Sequence, residues 1–211
     1  VKYFIDELQY EQEEPSIFNT ELMLIPSVVE RFVVNNNAKQ CKEILRNEFN
    51  GDNKSFIKQL CQELSDYLYS SYNVAIQLHP KKYGGFKFLG KYLLNLYLPF
   101  NSASEDCNIY TIVQQPTFKV KTINGTLTII PDIGVFINGF LVSYIQLKLQ
   151  HKGQNARDNG RGQIVGDYLE SIKCGIVDFI TTNPNIYQDN KEKDKLFKNV
   201  IKYFHSPIHM V

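Results

Sequence analysis

The stretch Ile130–Gln150, IPDIGVFINGFLVSYIQLKLQ, decides how the rest of the chain is read. Two apolar, β-branched and aromatic runs flank Asn138-Gly139. That dipeptide suits a two-residue turn whose central residues both need positive φ, so the stretch predicts a β-hairpin. Asp132 follows Pro131 within the first run, and the second carries Gln146 and Lys148. Residues two apart on a strand share a face, so Gln146 and Lys148 point the same way. Ile145, Leu147 and Leu149 then point to the other, apolar side. Three polar groups on an otherwise hydrophobic hairpin would cost several kcal/mol if buried without partners. A hydrated divalent cation is one partner that relieves this cost; the alternative is a solvated hairpin face.

The register tests the idea. A turn over Asn138-Gly139 pairs Ile137 with Phe140, and unbroken pairing from there sets Asp132 opposite Ile145, facing away from Gln146. One extra residue restores a shared face, as a longer loop or as a β-bulge, and bulges are frequent beside active sites. Gly134 is well placed for it. The reading therefore predicts an irregularity between Asp132 and Gln146. It also requires the oxygens of Asp132 and Gln146 to converge within about 5 Å, since Mg²⁺ holds each oxygen ligand at about 2.1 Å.

Around this hairpin the chain changes character. Residues 1–14 form a short strand or an irregular lead. In NTELMLIPSVVERFVV (19–34), Asn19 or Thr20 fits an N-cap, and Pro26 should interrupt or kink any helix. AKQCKEILRNEF (38–49) reads as a short helix. DNKSFIKQLCQELSDYLYSSY (52–72) is the clearest helix, with Phe56, Leu60, Leu64 and Leu68 every four residues, joined by Ile57 and Cys61. Then come strand-like runs at 73–80, 90–100, 117–122, 125–139 and 140–150, with a second Asn-Gly at 124–125. A glycine-containing polar stretch, a helix over 162–173, a strand over 175–182 and a helix over 191–204 complete the chain. Helices, then a mostly antiparallel strand group, then helix–strand–helix predict an α+β domain with one central mixed sheet flanked by helices. We expect one domain over 1–211, with a helical part at 17–72 and a core sheet at 74–182.

Asp132, an Asn-Gly hairpin turn and then Gln-x-Lys form a pattern that resembles the PD-(D/E)xK nucleases. The fuller run PDIGVFINGFLVSYIQLK looks like the segment of type I restriction-enzyme restriction subunits that reads PD, hydrophobic residues, NG, hydrophobic residues, ELK. IYTIVQQPTFKV (109–120) is similar to the strand that leads to it in that family. The resemblance covers about residues 108–172. It implies a restriction-endonuclease-like fold, cytoplasmic prokaryotic location and Mg²⁺-dependent cleavage of duplex DNA. It also implies modification and specificity subunits as partners, and an ATP-driven motor that this chain does not contain. By the same resemblance, Asp132 anchors the metal, Gln146 offers a side-chain oxygen, Leu147 a backbone carbonyl, and Lys148 orients water or stabilises charge.

Position 146 departs from the family, where glutamate is usual. An amide oxygen carries no charge, so such a site should hold Mg²⁺ more weakly. This keeps two alternatives open: another PD-(D/E)xK nuclease of repair or recombination, and a degenerate DNA-binding module. The family also places a Gln-x-x-x-Tyr helix after the lysine strand. Here Gln163 and Tyr168 are five apart, about 140° off one helix face, so Gln163 is the better catalytic candidate and Tyr168 joins the DNA-binding set. Lys152, Arg157 and Arg161 are candidates for phosphate contact. Glu21, on the expected first helix, is a further candidate metal ligand by order alone.

Bulk properties narrow the field. Net charge is +1, so no global field attracts nucleic acid, and any DNA site must be a local basic patch. Four widely spaced cysteines imply buried thiols rather than a disulfide scaffold. No apolar run reaches the ~18 residues of a membrane span, and no signal peptide is visible. The missing initiator Met and abrupt end suggest an N-terminal fragment of something longer. Gly85–Tyr92 echoes a phosphate-binding loop, but Tyr92 stands where Ser or Thr is needed, so it reads as strand. His205 and His209 have metal-like spacing, yet Pro207 disfavours a helix that presents both.

Overall fold

A computed structural model of the chain describes residues 1–69, 86–94, 96, 108–122, 125–148 and 208–210. The helical region contains α1 (Lys2–Asp6), α2 (Pro26–Asn36), α3 (Ala38–Phe49) and α4 (Asn53–Tyr69). Pro26 opens α2 rather than breaking it. Proline suits the first helical position because the N–H it lacks would be unbonded there anyway. Asn19 therefore caps no helix; its side chain accepts hydrogen bonds from the Glu21 and Leu22 N–H groups at 3.0 and 2.9 Å, holding a turn.

Between α3 and α4 the chain reverses through Asn50 and Gly51, both at positive φ. Asp52 then caps α4. Its carboxylate accepts from the Lys54 and Ser55 N–H groups and from the Ser55 hydroxyl at 2.6 Å. These bonds, those of Ser55 foremost, hold the Asp52 carboxyl below its ordinary pKa. Replacing Asp52 with alanine should lower the melting temperature by a few degrees at pH 7. Because the folded pKa is depressed, the contribution is present above the unfolded value near 3.8 and fades as pH falls below it. The difference in melting temperature should therefore shrink towards pH 3, as a pH series of thermal melts would show. On α4 the predicted stripe is buried at Phe56, Leu60, Cys61 and Leu64, with Ile57 packed beside it.

The strands are β1 (Glu11–Glu13), β2 (Phe86–Phe88), β3 (Tyr92–Leu94), β4 (Tyr110–Gln114), β5 (Phe118–Thr122), β6 (Gly125–Ile129), β7 (Ile133–Ile137), β8 (Phe140–Ile145) and β9 (Ile208–Met210). A five-stranded sheet runs in the order β1-β4-β7-β8-β9. Its three central strands are antiparallel; the two edges, β1 on β4 and β9 on β8, are parallel. The molecule is thus α+β with a mixed sheet. The sheet extends beyond the predicted 74–182 in both directions, through three-residue edge strands at 11–13 and 208–210. β2–β3 and β5–β6 are separate antiparallel pairs. The elements expected at 73–80, 162–173, 175–182 and 191–204 lie outside the described residues.

Both faces of the sheet are covered. Val113, Phe136 and Tyr144 face the main core, with Leu24, Ile25, Phe32, Ile44, Leu60 and Leu64 of the helical layer. Phe18 sits edge-on to both Phe118 and Phe136, at 5.2 and 5.3 Å between ring centroids. On the opposite face Ile112, Ile133 and Val135 pack with Ile145 under Val1, Phe4 and Tyr10. No helix among the described residues is long and apolar enough to cross a membrane.

Candidate active site

The hairpin β7–β8 turns through Asn138 at φ 55° and Gly139 at φ 83°, the pair of positive angles that Asn-Gly was expected to supply. The turn is buried. Asn138 accepts from the Ile109 N–H through Oδ1 at 2.8 Å, and donates through Nδ2 to Asn108 at 2.9 Å. Ile137 pairs with Phe140 and Phe136 with Leu141, and then the register slips, so that Val135 pairs with Ser143. The expected irregularity is therefore present. It falls on the second strand, at Val142, and not at Gly134. Gly134 answers to a different constraint: a Cβ there would lie 2.9 Å from both Pro116 Cγ and a Phe136 ring carbon.

Beyond the slip, Ile133 pairs with Ile145, and the next residues outward are Asp132 and Gln146. Asp132 lies immediately before β7 rather than at the heart of a strand. Pro131 has no N–H to donate to a ladder, so the expected continuous run 125–139 divides into β6 and β7 around it. The Asp132 carbonyl still accepts from Gln115 N–H at 3.0 Å, tying the residue to the end of β4.

The side chains meet. Gln146 donates from Nε2 to Asp132 Oδ2 at 2.7 Å, and the Leu147 backbone N–H donates to the same oxygen at 2.6 Å. Gln146 is 6% exposed, and its Oε1 is buried with no hydrogen-bond partner among the described residues. Asp132 and Lys148 are half-buried, with Lys148 two residues beyond Gln146. Leu147, expected on the apolar side, is instead 55% exposed, just beyond the end of β8 at Ile145. The Leu147 N–H is a contributor that the sequence did not indicate.

The donor chemistry fits a hard cation to a limited degree. A carboxylate and a buried amide oxygen without a partner among the described residues are both oxygen donors of the kind Mg²⁺ takes, but it is the amide nitrogen that faces the carboxylate. Among the described residues no three His, Cys, Asp or Glu side chains gather as a metal site. Glu21 lies in an exposed turn before α2, not on a helix as expected. Its turn is fixed at the far end of the hairpin, where Leu24 bridges Phe140 and Ile25 N–H donates to Gly139 at 2.8 Å. Phe140 and Gln146 are about 20 Å apart along the strand. Gln163, Tyr168, Lys152, Arg157 and Arg161 lie outside the described residues.

Other motifs take ordinary structural places. Phe86–Leu94 is a tight hairpin that turns through Leu89 and Gly90 at positive φ, not the single strand expected over Gly85–Tyr92, and Lys91 bonds Glu48 at 2.7 Å. Burial pushes the Cys41 thiol up to about 11. Burial, and secondarily the Glu30 charge, push Cys61 up to about 12, so neither offers a thiolate nucleophile near neutral pH. His209 stands in the edge strand β9, and His205 lies outside the described residues.

Comparison with protein-family models, with curated proteins and with solved structures finds no match.

Proposed function

We propose that this chain is the nuclease module of a type I restriction-modification enzyme, a restriction-endonuclease-like domain that cuts phosphodiester bonds of duplex DNA with Mg²⁺. The observation that carries the reading is the register slip at Val142, which sets Gln146 against Asp132. A plain two-residue hairpin would have separated them. In this reading Asp132 anchors the site with its carboxylate. Gln146 adds an uncharged oxygen, and the Leu147 backbone carbonyl a third. Lys148 orients the attacking water and meets negative charge that develops on the phosphate. Mg²⁺, when bound, supplies Lewis-acid polarisation and a water of lowered pKa. Lys152, Arg157 and Arg161 would grip the backbone of duplex DNA without reading sequence, and Gln163 and Tyr168 would follow on a helix. Specificity and modification subunits, and an ATP-driven motor, would belong to the larger assembly in a prokaryotic cytoplasm.

A second reading is favoured by one observation: Gln146 already gives Asp132 a hydrogen bond, so the pair is complete without a cation. A DNA-binding module that has lost cleavage would look like this. Nicking of supercoiled plasmid separates the two. We expect slow nicking that requires Mg²⁺, stops with chelator and falls about 100-fold or more in Asp132→Ala, on the scale of losing a principal electrostatic group. Wild-type protein and Gln146→Glu both inert, with plasmid binding intact, would leave the DNA-binding reading in its place.

A further inference from the structure

We infer that the Gln146 side chain gates the proposed cation site, closing it with its N–H end and opening it by a half-turn that presents its oxygen. The inference rests on the metal-site reading above. A primary amide has a donor end and an acceptor end on one planar group, exchanged by rotation about its last bond. Here the donor end faces Asp132, 2.7 Å from Oδ2. The acceptor end is buried, with no partner among the described residues. That is a half-used amide in a position 6% exposed, where an unmatched oxygen carries a penalty.

As the side chain stands, no cation can be shared by Asp132 Oδ2 and Gln146, because a hydrogen occupies the line between them. Turned over, the amide would place oxygen against oxygen, an arrangement that repels unless a positive ion lies between. Leu147 N–H keeps Oδ2 in place in either position. Both of these hydrogen bonds fall on Oδ2, and among the described residues none is made to Asp132 Oδ1. The N–H end therefore holds the site closed without divalent cation, and the oxygen end belongs to the loaded state. A carboxylate at 146 has two acceptor ends and needs no turn. Ion entry into the wild-type site must displace a hydrogen bond to a charged acceptor, which corresponds to an affinity about 10- to 100-fold below that of Gln146→Glu.

The experiment follows the Gln146 side-chain NH2 resonances of the ¹⁵N-labelled full chain, assigned through bonds in the wild type, during titration with MgCl2. Calorimetry on the same samples reports ion binding. Without Mg²⁺, one NH2 proton should be shifted downfield and exchange slowly with water. As Mg²⁺ binds, both features should disappear along the calorimetric isotherm, at an affinity about 10- to 100-fold below that of Gln146→Glu. Binding by calorimetry with the Gln146 signals unmoved would overturn the gate and leave the metal site standing. No heat of binding in either the wild type or Gln146→Glu would remove both. The wild-type titration needs no variant to fold, so the gate can be refuted on it alone.

Discussion

Replacing Gly139 with alanine will lower the unfolding free energy by about 4 kcal/mol, a fall of roughly 8–16 °C in melting temperature for a chain of this size. Two separate terms make up the loss. Gly139 sits at φ 83°, where an L-residue costs about 1–2 kcal/mol more than glycine. The added Cβ would also meet Val29 Cγ2 at 2.7 Å, Val29 N at 2.8 Å and Ile25 O at 2.9 Å. Two of those three atoms are backbone at the start of α2, so relief requires the helix itself to move. Overpacking of a tight site costs about 1–3 kcal/mol. The shift would also strain the Ile25 N–H bond to Gly139 O, which docks α2 on the hairpin. Gly90 provides the control. It has φ 69° but nothing within 4 Å of a built Cβ, so Gly90→Ala should show the conformational term alone, about 1–2 kcal/mol. Equal losses for the two variants, measured by denaturant unfolding, would mean that the contact between turn and helix carries no energy.

That contact marks where sequence reading stops. Asn138-Gly139 announced the hairpin because only a few residues tolerate two successive positive φ angles. Period-two alternation then forced the prediction of an irregularity, since Asp132 and Gln146 share a face only if one residue is out of step. Which strand takes the extra residue was not legible, because a bulge on either strand restores parity equally. Gly134 was the natural choice locally, and its real constraint comes from the Phe136 ring and from Pro116, on another strand connection. The α4 stripe was legible because Phe56, Leu60 and Leu64 repeat at helical spacing. Glu21 was misplaced for the opposite reason: proline both breaks helices and starts them, and only the docking of Ile25 on Gly139 decides between these roles here. β1 reads Glu-Gln-Glu, with no apolar period to betray it; short polar edge strands are what sheets use to limit further pairing. That one residue out of step would bring Asp132 and Gln146 to the same end of the hairpin was foreseen. That nitrogen rather than oxygen would face the carboxylate was not, although glutamine beside an anion has no other favourable choice without a cation.

Replacing Gln146 with glutamate should therefore make the stability of the protein depend on divalent cation. In the wild type the amide N–H meets Asp132 Oδ2 at 2.7 Å, so the fold needs no ion at this point. A glutamate in the same buried position sets one carboxylate against another and loses that donor. Two terms raise the folded pKa of the introduced carboxyl above its ordinary value near 4.3: burial and the like charge beside it. At low pH the introduced group is protonated, and its O–H can donate to Asp132 much as the amide does. The stability it confers is then present below about pH 4.3 and lost as pH rises through the folded pKa. At pH 8 with chelator we expect a loss of about 3 kcal/mol, or roughly 6–12 °C. Adding Mg²⁺ should restore most of it, because a cation between two carboxylates replaces the missing proton, and binding to the folded state alone raises its stability by mass action. The wild type should show a much smaller response to Mg²⁺ over the same range. A melting temperature for Gln146→Glu that ignores both pH and Mg²⁺ would mean that the introduced carboxylate has swung out to solvent, and that the hairpin does not hold the two side chains together.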